Sequence, residues 1–125
     1  ELFSIRLKNA GVEVIIVNDT MDPIKPDAIF PNNWFSTHTD GKFYLYPMFA
    51  TNRRLERENP IIDRLSQKYQ ISTVIDLTSS ENDGFYLEGT GSLIFNHIHK
   101  ICLLKFCIMM TKQIFSYYFL QTLIE

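Results

Sequence analysis

The chain has 125 residues, which suits one domain, and its hydrophobic fraction of 46% and charged fraction of 21% are ordinary for a globular protein. This composition excludes an intrinsically disordered chain. A formal net charge of −2 gives no excess of basic residues that would indicate nucleic-acid binding. Two cysteines are too few for a disulfide framework or a four-thiolate zinc site. We therefore expect a reduced, cytoplasmic protein.

The first third of the chain predicts a helix, a strand, a loop and a hairpin in this order. Helical spacing at residues 2–10 ends at Gly11, which suits the position after a helix C-terminus. The β-branched run 12–17 predicts a strand, and a proline-punctuated loop follows at 19–31. Residues 34–38 and 42–46 are predicted to pair across Thr39-Asp40-Gly41, because Asp-Gly between β-prone runs is a strong hairpin signal.

The middle of the chain predicts a helix followed by a strand. Asn59-Pro60 is typical of a helix start, so we expect a helix at 60–69 that packs on the hairpin through Ile61, Leu65 and Tyr69. Residues 71–77 predict the next strand. The segment 34–77 is therefore interpreted as one complete ββαβ unit, of the kind that recurs in propellers and arrays.

The last third predicts a polar loop at 78–84 and short strands at 85–88 and 92–95, around Gly89-Thr90-Gly91. From residue 101 onward the chain is mostly apolar. Its runs without Lys or Gln are far shorter than the roughly 20 residues that a membrane span needs. A buried helix or strand is therefore favoured over a membrane segment.

Four segments carry the functional signal: Pro26 to Trp34 with Phe-Pro-Asn-Asn-Trp, Leu-Tyr-Pro-Met at 45–48, Asn-Arg-Arg-Leu-Glu-Arg at 52–57, and Leu-Glu-Gly-Thr-Gly-Ser at 87–92. In this order they resemble the amidinotransferase branch of the guanidino-group-modifying superfamily, which includes arginine deiminase, dimethylargininase, succinylarginine dihydrolase and citrulline hydrolase. The resemblance is nearest to the bacterial citrulline-hydrolase and amidinotransferase type. It covers about residues 1–97, and the apolar tail 98–125 departs from the pattern.

The resemblance implies an α/β fold, a five-bladed α/β propeller (pentein) of ββαβ units, of which this chain would hold about two blades. It also implies a hydrolase or amidinotransferase that acts on the guanidino or ureido group of arginine- or citrulline-like substrates. A Cys thiolate forms a covalent adduct, and a His held by a carboxylate acts as acid and base. No metal or organic cofactor is needed. The implied partner is a small guanidino or ureido amino acid, and neither nucleic acid nor a membrane is expected as a partner. The full-length protein could form a homo-oligomer.

Glu88 and one of two neighbouring asparagines match the family's site. Glu88 matches the carboxylate that holds the catalytic imidazole and the substrate nitrogens. Of Asn32 and Asn33, the second is the better match to the position where deiminases carry a substrate-gripping Asp. An amide has both a donor and an acceptor, which favours a neutral ureido group. The alternatives are a solvated turn at Glu88-Gly89 and an Asn turn that bonds its own backbone.

The resemblance also points to Arg53 and Arg54, because family members bind the substrate α-carboxylate with an Arg in this region, and guanidinium groups bind carboxylates bidentately. The alternative is a solvated charge run with Glu–Arg pairs on a helix face. His38 is interpreted as structural. His97 and His99 have the spacing of metal ligands on a strand, but no third ligand stands near them in sequence, which disfavours zinc.

Cys102 and Cys107 lie in apolar surroundings, where a thiol is normally inert. In the resembling family the nucleophilic Cys lies near the end of the full chain, after a His-Thr-Asn motif that does not occur here. We therefore expect a fragment that is inactive on its own, with a non-catalytic binding or interaction domain as the alternative. We also expect Asn33 and Glu88 to share one pocket.

Overall fold

The computed structural model describes residues 2–58, 61–96, 98–99, 101–105 and 117–121. Its helices and strands are short. They are α1 (Leu2–Asn9), a 3-10 turn (Pro31–Asn33), β1 (Phe35–Thr37), β2 (Lys42–Leu45), α2 (Thr51–Arg54) with a 3-10 extension (Leu55–Glu58), α3 (Ile61–Ser66), β3 (Thr73–Asp76), a 3-10 helix (Thr78–Asp83), α4 (Gly89–Ser92), β4 (Leu93–Asn96), β5 (Ile101–Lys105) and β6 (Tyr117–Gln121).

The first sheet has the strand order β1-β2-β3, with β1 antiparallel and β3 parallel to β2. Phe35 pairs with Leu45 in the hairpin, and Gly41 has the positive φ of +81° that its tight turn requires. A parallel neighbour needs a crossover connection, and α2 and α3 lie between β2 and β3 in the chain. The hairpin and the ββαβ order predicted from the sequence are therefore confirmed.

The helix predicted at 60–69 begins at Ile61 and ends at Ser66, and Asn59 and Pro60 lie outside the described residues. Leu65 and Tyr69 line a hollow of about 370 Å³ against β1 and β2. Tyr69 remains half exposed, so only one side of its ring is sheltered. Of the three predicted packing residues, Leu65 of α3 and Tyr69 after it face the hairpin across this hollow, and Ile61 does not line it. The predicted close packing of the helix on the sheet is therefore confirmed only in part.

The strand predicted at 12–17 is wrong, because this segment is irregular and Val12 and Ile16 are about half exposed. The described residues place no strand beside it, and β-branched side chains stabilise a strand only through neighbours. The strand predicted at 85–88 is also absent. There Leu87 N donates to Pro47 O, a single bond rather than a ladder.

The second sheet has the order β4-β5-β6 and is antiparallel throughout. β4 confirms the strand predicted at 92–95, and β5 continues the sheet into the apolar segment. Tyr46, Leu93 and Cys102 form a buried cluster that joins this sheet to the hairpin. Trp34, Phe43 and Met48 are the most deeply buried large side chains. Within the described ranges, every helix is too short or too polar to cross a membrane.

Candidate functional site

The two asparagines and the Glu-Gly-Thr-Gly segment lie against each other. Asn32 Nδ2 donates to Thr90 Oγ1, which is 58 positions away, and to Asn33 Oδ1 at 3.2 Å. A Cβ placed on Gly89 would lie 2.9 Å from Asn33 O and closer still to Asn32 O. Only a residue without a side chain permits this approach of two backbones. The 3-10 turn and α4 therefore pack directly against each other, through a side-chain hydrogen bond and a close backbone contact.

Glu88 lies directly before α4 and its side chain is half-buried. Its Oε1 accepts a hydrogen bond from Phe49 N at 3.3 Å. A Cβ built on Gly91 would have Asn33 Nδ2 at 3.4 Å and Glu88 Cβ at 3.6 Å. The Asn33 amide and the Cβ of Glu88 therefore lie beside the same glycine.

Arg53 is buried and belongs to the wall behind the asparagine turn. It forms a two-point ion pair with Glu56, with Nε to Oε1 at 2.9 Å and Nη2 to Oε2 at 3.2 Å. Its Nη2 also donates to Phe30 O at 2.9 Å and Asp27 O at 3.3 Å. Arg53 therefore holds the loop that leads into Asn32 and Asn33.

Arg54 points to the other side of the same helical turn. Its Nε donates to Met48 O at 2.9 Å and its Nη2 to Phe49 O at 3.1 Å. The guanidinium also lies over the ring of Tyr86, 5.6 Å from its centroid. Both arginines thus have partners within the chain, and their expected contact with a substrate carboxylate stays a prediction.

Two residues of the site's support, Glu81 and Arg57, were missed by the sequence reasoning. Arg57 donates to both carboxylate oxygens of Glu81, at 2.6 and 3.0 Å. Burial raises the pKa of Glu81, but the bonds from Arg57 and from Met48 N lower it by more, so this pKa lies below its ordinary value. Glu81 stands in a segment interpreted as a polar loop, and no sequence signal links it to Arg57 across 24 positions.

His38 and Cys102 have their contacts away from the asparagine turn and Glu88. His38 Nε2 is 3.0 Å from Ser36 Oγ, and its ring meets those of Tyr44 and Phe95 edge-on. These contacts agree with a structural histidine. Cys102 is buried in the cluster that joins the two sheets, and burial raises the pKa of its thiol. His97 and Cys107 lie outside the described residues, and His99 is exposed.

The family of eukaryotic N,N-dimethylarginine dimethylhydrolases has a model that matches residues 2–109, well over half of the chain. The chain belongs to this family. No curated protein and no solved structure matches it. The dimethylarginine dimethylhydrolases are members of the amidinotransferase superfamily, so the resemblance to that superfamily is confirmed. The matched family is the eukaryotic dimethylarginine dimethylhydrolases, not the bacterial citrulline-hydrolase type that the sequence motifs favoured.

Membership in the dimethylarginine dimethylhydrolase family agrees with the observed fold, a mixed α/β arrangement of helices and small sheets. The number of propeller blades stays a prediction. The match extends past residue 97 to residue 109, and β5 pairs with β4 inside this region. The family is one of C–N hydrolases that act on small methylarginine substrates.

Proposed function

We propose that this chain carries the ligand-binding part of a C–N hydrolase that acts on the guanidino or ureido group of an arginine- or citrulline-like amino acid. The observation that carries the proposal is that the Asn33 amide and the Cβ of Glu88 lie beside Gly91 in a member of the dimethylarginine dimethylhydrolase family. The nucleophilic Cys and the catalytic His of the proposed mechanism are not among these 125 residues, which contain no His-Thr-Asn motif.

The two side chains complement a planar nitrogen group. A carboxylate accepts hydrogen bonds only, so Glu88 suits the N–H groups that guanidino and ureido groups share. The Asn33 amide can also donate. Because Asn32 Nδ2 occupies Asn33 Oδ1, the donor Nδ2 of Asn33 remains on the side of Gly91, where it suits a ureido oxygen. A ureido oxygen of the citrulline type fits this donor, whereas the guanidino group of the family's methylarginine substrates offers N–H groups to Glu88 and to the Asn33 oxygen.

The proposed reaction begins with attack of a thiolate on the guanidino or ureido carbon. The amine departs with a proton from the general acid, and water then cleaves the carbon–sulfur bond and frees the thiol. Glu88 would orient the imidazole that moves these protons and would hold the substrate nitrogens. Asn33 would fix the plane of the reacting group.

Titration of the chain with citrulline, arginine and asymmetric dimethylarginine, followed by NMR, tests the binding proposal. We expect Asn33→Ala and Glu88→Gln each to weaken binding about tenfold, since each removes a hydrogen bond to a polar ligand. Asn18→Ala is the matched control, because it removes the same kind of side chain from an exposed position in the irregular segment after α1. Equal affinity of all four proteins would contradict the assignment.

The same titration with agmatine, which lacks a carboxylate, tests the role of Arg53 and Arg54. If either guanidinium binds the substrate carboxylate, its replacement by Ala weakens arginine binding by a larger factor than agmatine binding. Equal losses for both ligands would show that the arginine acts only through the protein contacts described above.

A non-catalytic binding domain derived from the same fold is the second candidate. It needs no nucleophile, which agrees with the buried Cys102, whose pKa burial raises. The coding sequence downstream of this chain discriminates the two functions. A His-Thr-Asn motif and a later Cys there would support the hydrolase, and their absence would support the binding domain.

A further inference from the structure

The segment 46–49, which follows β2, contacts Glu88 and its neighbour Leu87. Pro47 O accepts a hydrogen bond from Leu87 N at 2.9 Å, and Phe49 N donates to Glu88 Oε1 at 3.3 Å. The orientation of the Glu88 carboxylate thus depends on where the backbone of Phe49 lies. Phe49 itself is partly exposed, so burial of its side chain does little to fix that backbone.

The backbone of this segment is held by the Glu81 carboxylate and the two arginines that surround it. Glu81 Oε1 accepts from Met48 N at 2.7 Å, directly before Phe49 in the chain. Arg57 donates to Tyr46 O at 3.2 Å while it grips Glu81 with two nitrogens. Arg54 binds Met48 O and Phe49 O and lies 3.4 Å from Glu81 Oε2.

The Glu81 side chain is 9% exposed and that of Arg57 is 17% exposed. An ion pair sheltered to this degree, with two parallel N–H···O bonds, has a fixed geometry that a solvated pair lacks. Removing one member would leave the other charge sheltered and unpaired, so the arrangement is not a redundant surface contact.

We infer that Glu81, gripped by Arg57, is a positioning residue for Glu88 and acts through the backbone of Met48 and Phe49. The inference rests on the proposed function, in which Glu88 holds the ligand's nitrogens. Glu81 does not touch the ligand region itself. Glu81 fixes the position of the Phe49 N–H, which in turn orients the Glu88 carboxylate. The loss of Glu81 should therefore reduce the affinity for guanidino and ureido ligands alike.

The test compares Glu81→Gln with Asp83→Asn, which removes an exposed carboxylate from the same 3-10 helix. A glutamine whose oxygen keeps the bonds from Met48 N and Arg57 Nη1 turns its NH2 group toward Arg57 Nη2, so two donors face each other and the two-point pair is lost. We expect citrulline and arginine affinity to fall about tenfold in Glu81→Gln and to stay unchanged in Asp83→Asn. Arg57→Lys keeps the positive charge but loses the planar guanidinium that bonds both oxygens of Glu81. The affinity of this variant for citrulline and arginine should fall by a similar factor.

A second readout separates this inference from the proposed function. In the free protein, Glu88→Gln and Glu81→Gln should each shift the NMR amide signal of Phe49. When Glu81→Gln is already present, adding Glu88→Gln should cause little further shift. Folded Glu81→Gln protein with unchanged affinity, or with additive Phe49 shifts, overturns the inference. Absence of ligand binding by the unmodified chain together with non-additive Phe49 shifts overturns the proposed function and leaves the Glu81–Glu88 coupling established.

Discussion

Alanine at Gly89 tests the contact between the asparagine turn and α4. Gly89 is the first residue of a short α-helical turn, a conformation that alanine adopts readily. The added methyl group therefore acts through space alone. It would lie 2.9 Å from Asn33 O, 3.1 Å from Asn33 C and nearer still to Asn32 O, well inside ordinary van der Waals contact.

The magnitude follows from what must move. The atoms in the way are backbone atoms of the 3-10 turn, which Pro31 begins and Arg53 holds from behind, so they cannot swing aside as the end of a side chain would. Overpacking of this kind costs about 1–3 kcal/mol. A loss of about 2 kcal/mol lowers the melting temperature of a domain of this size by roughly 10 °C.

Thermal unfolding of Gly89→Ala beside Gly91→Ala measures this effect. Gly91 lies in the same turn, but its new methyl group would lie 3.4 Å from the nearest atom, which is an ordinary contact. We expect Gly91→Ala to be neutral or slightly stabilising, since alanine restricts the unfolded chain. Equal melting temperatures for the two variants would refute the close approach of α4 to the asparagine turn.

Three further predictions concern the core, the pH dependence and the thiols. Phe43 is fully buried, so Phe43→Ala should cost about 3–5 kcal/mol in denaturant unfolding, whereas Val74→Ala, its half-exposed pair on β3, should cost under about 1 kcal/mol. The lowered pKa of Glu81 contributes stability that is complete above the ordinary value of 4.5 and is lost as the pH falls through the lower folded value. The melting temperature should therefore drop more on acidification in the unmodified chain than in Glu81→Gln, and parallel curves would contradict the shift. Purified chain should release no ammonia from arginine or citrulline, because a buried thiol of raised pKa is not a nucleophile; turnover that the double variant Cys102→Ala, Cys107→Ala abolishes would show otherwise.

The elements that the sequence predicted correctly depend on neighbours in the chain. Asp40-Gly41 specifies a tight turn because glycine adopts a positive φ without strain, and the flanking runs then pair in the only register that the turn allows. The helix C-terminus at Gly11 has the same local origin. The motifs are also short stretches of sequence, so membership in the superfamily could be predicted before any contact was known, although the family within it could not.

The β-prone run 12–17 shows the limit of local reasoning. Its residues favour an extended backbone, but a strand exists only when a neighbour supplies hydrogen bonds, and the described part of the chain places none there. The burial of Arg53 is a second case. From sequence alone, a charged run such as 53–58 can be interpreted as solvent-exposed. In the structure, Glu56 and two loop carbonyls surround the Arg53 guanidinium and bury it.

The sequence by itself determined the turns, the ββαβ order and the residue types available for binding a planar nitrogen group. Only the tertiary structure decided which of them meet. The contact of Asn32 with Thr90 spans 58 positions and that of Met48 with Glu81 spans 33, distances over which no periodicity or propensity operates. Such contacts arise because sheet pairing and burial choose one path for the chain, and that choice is made by all of the packed residues together.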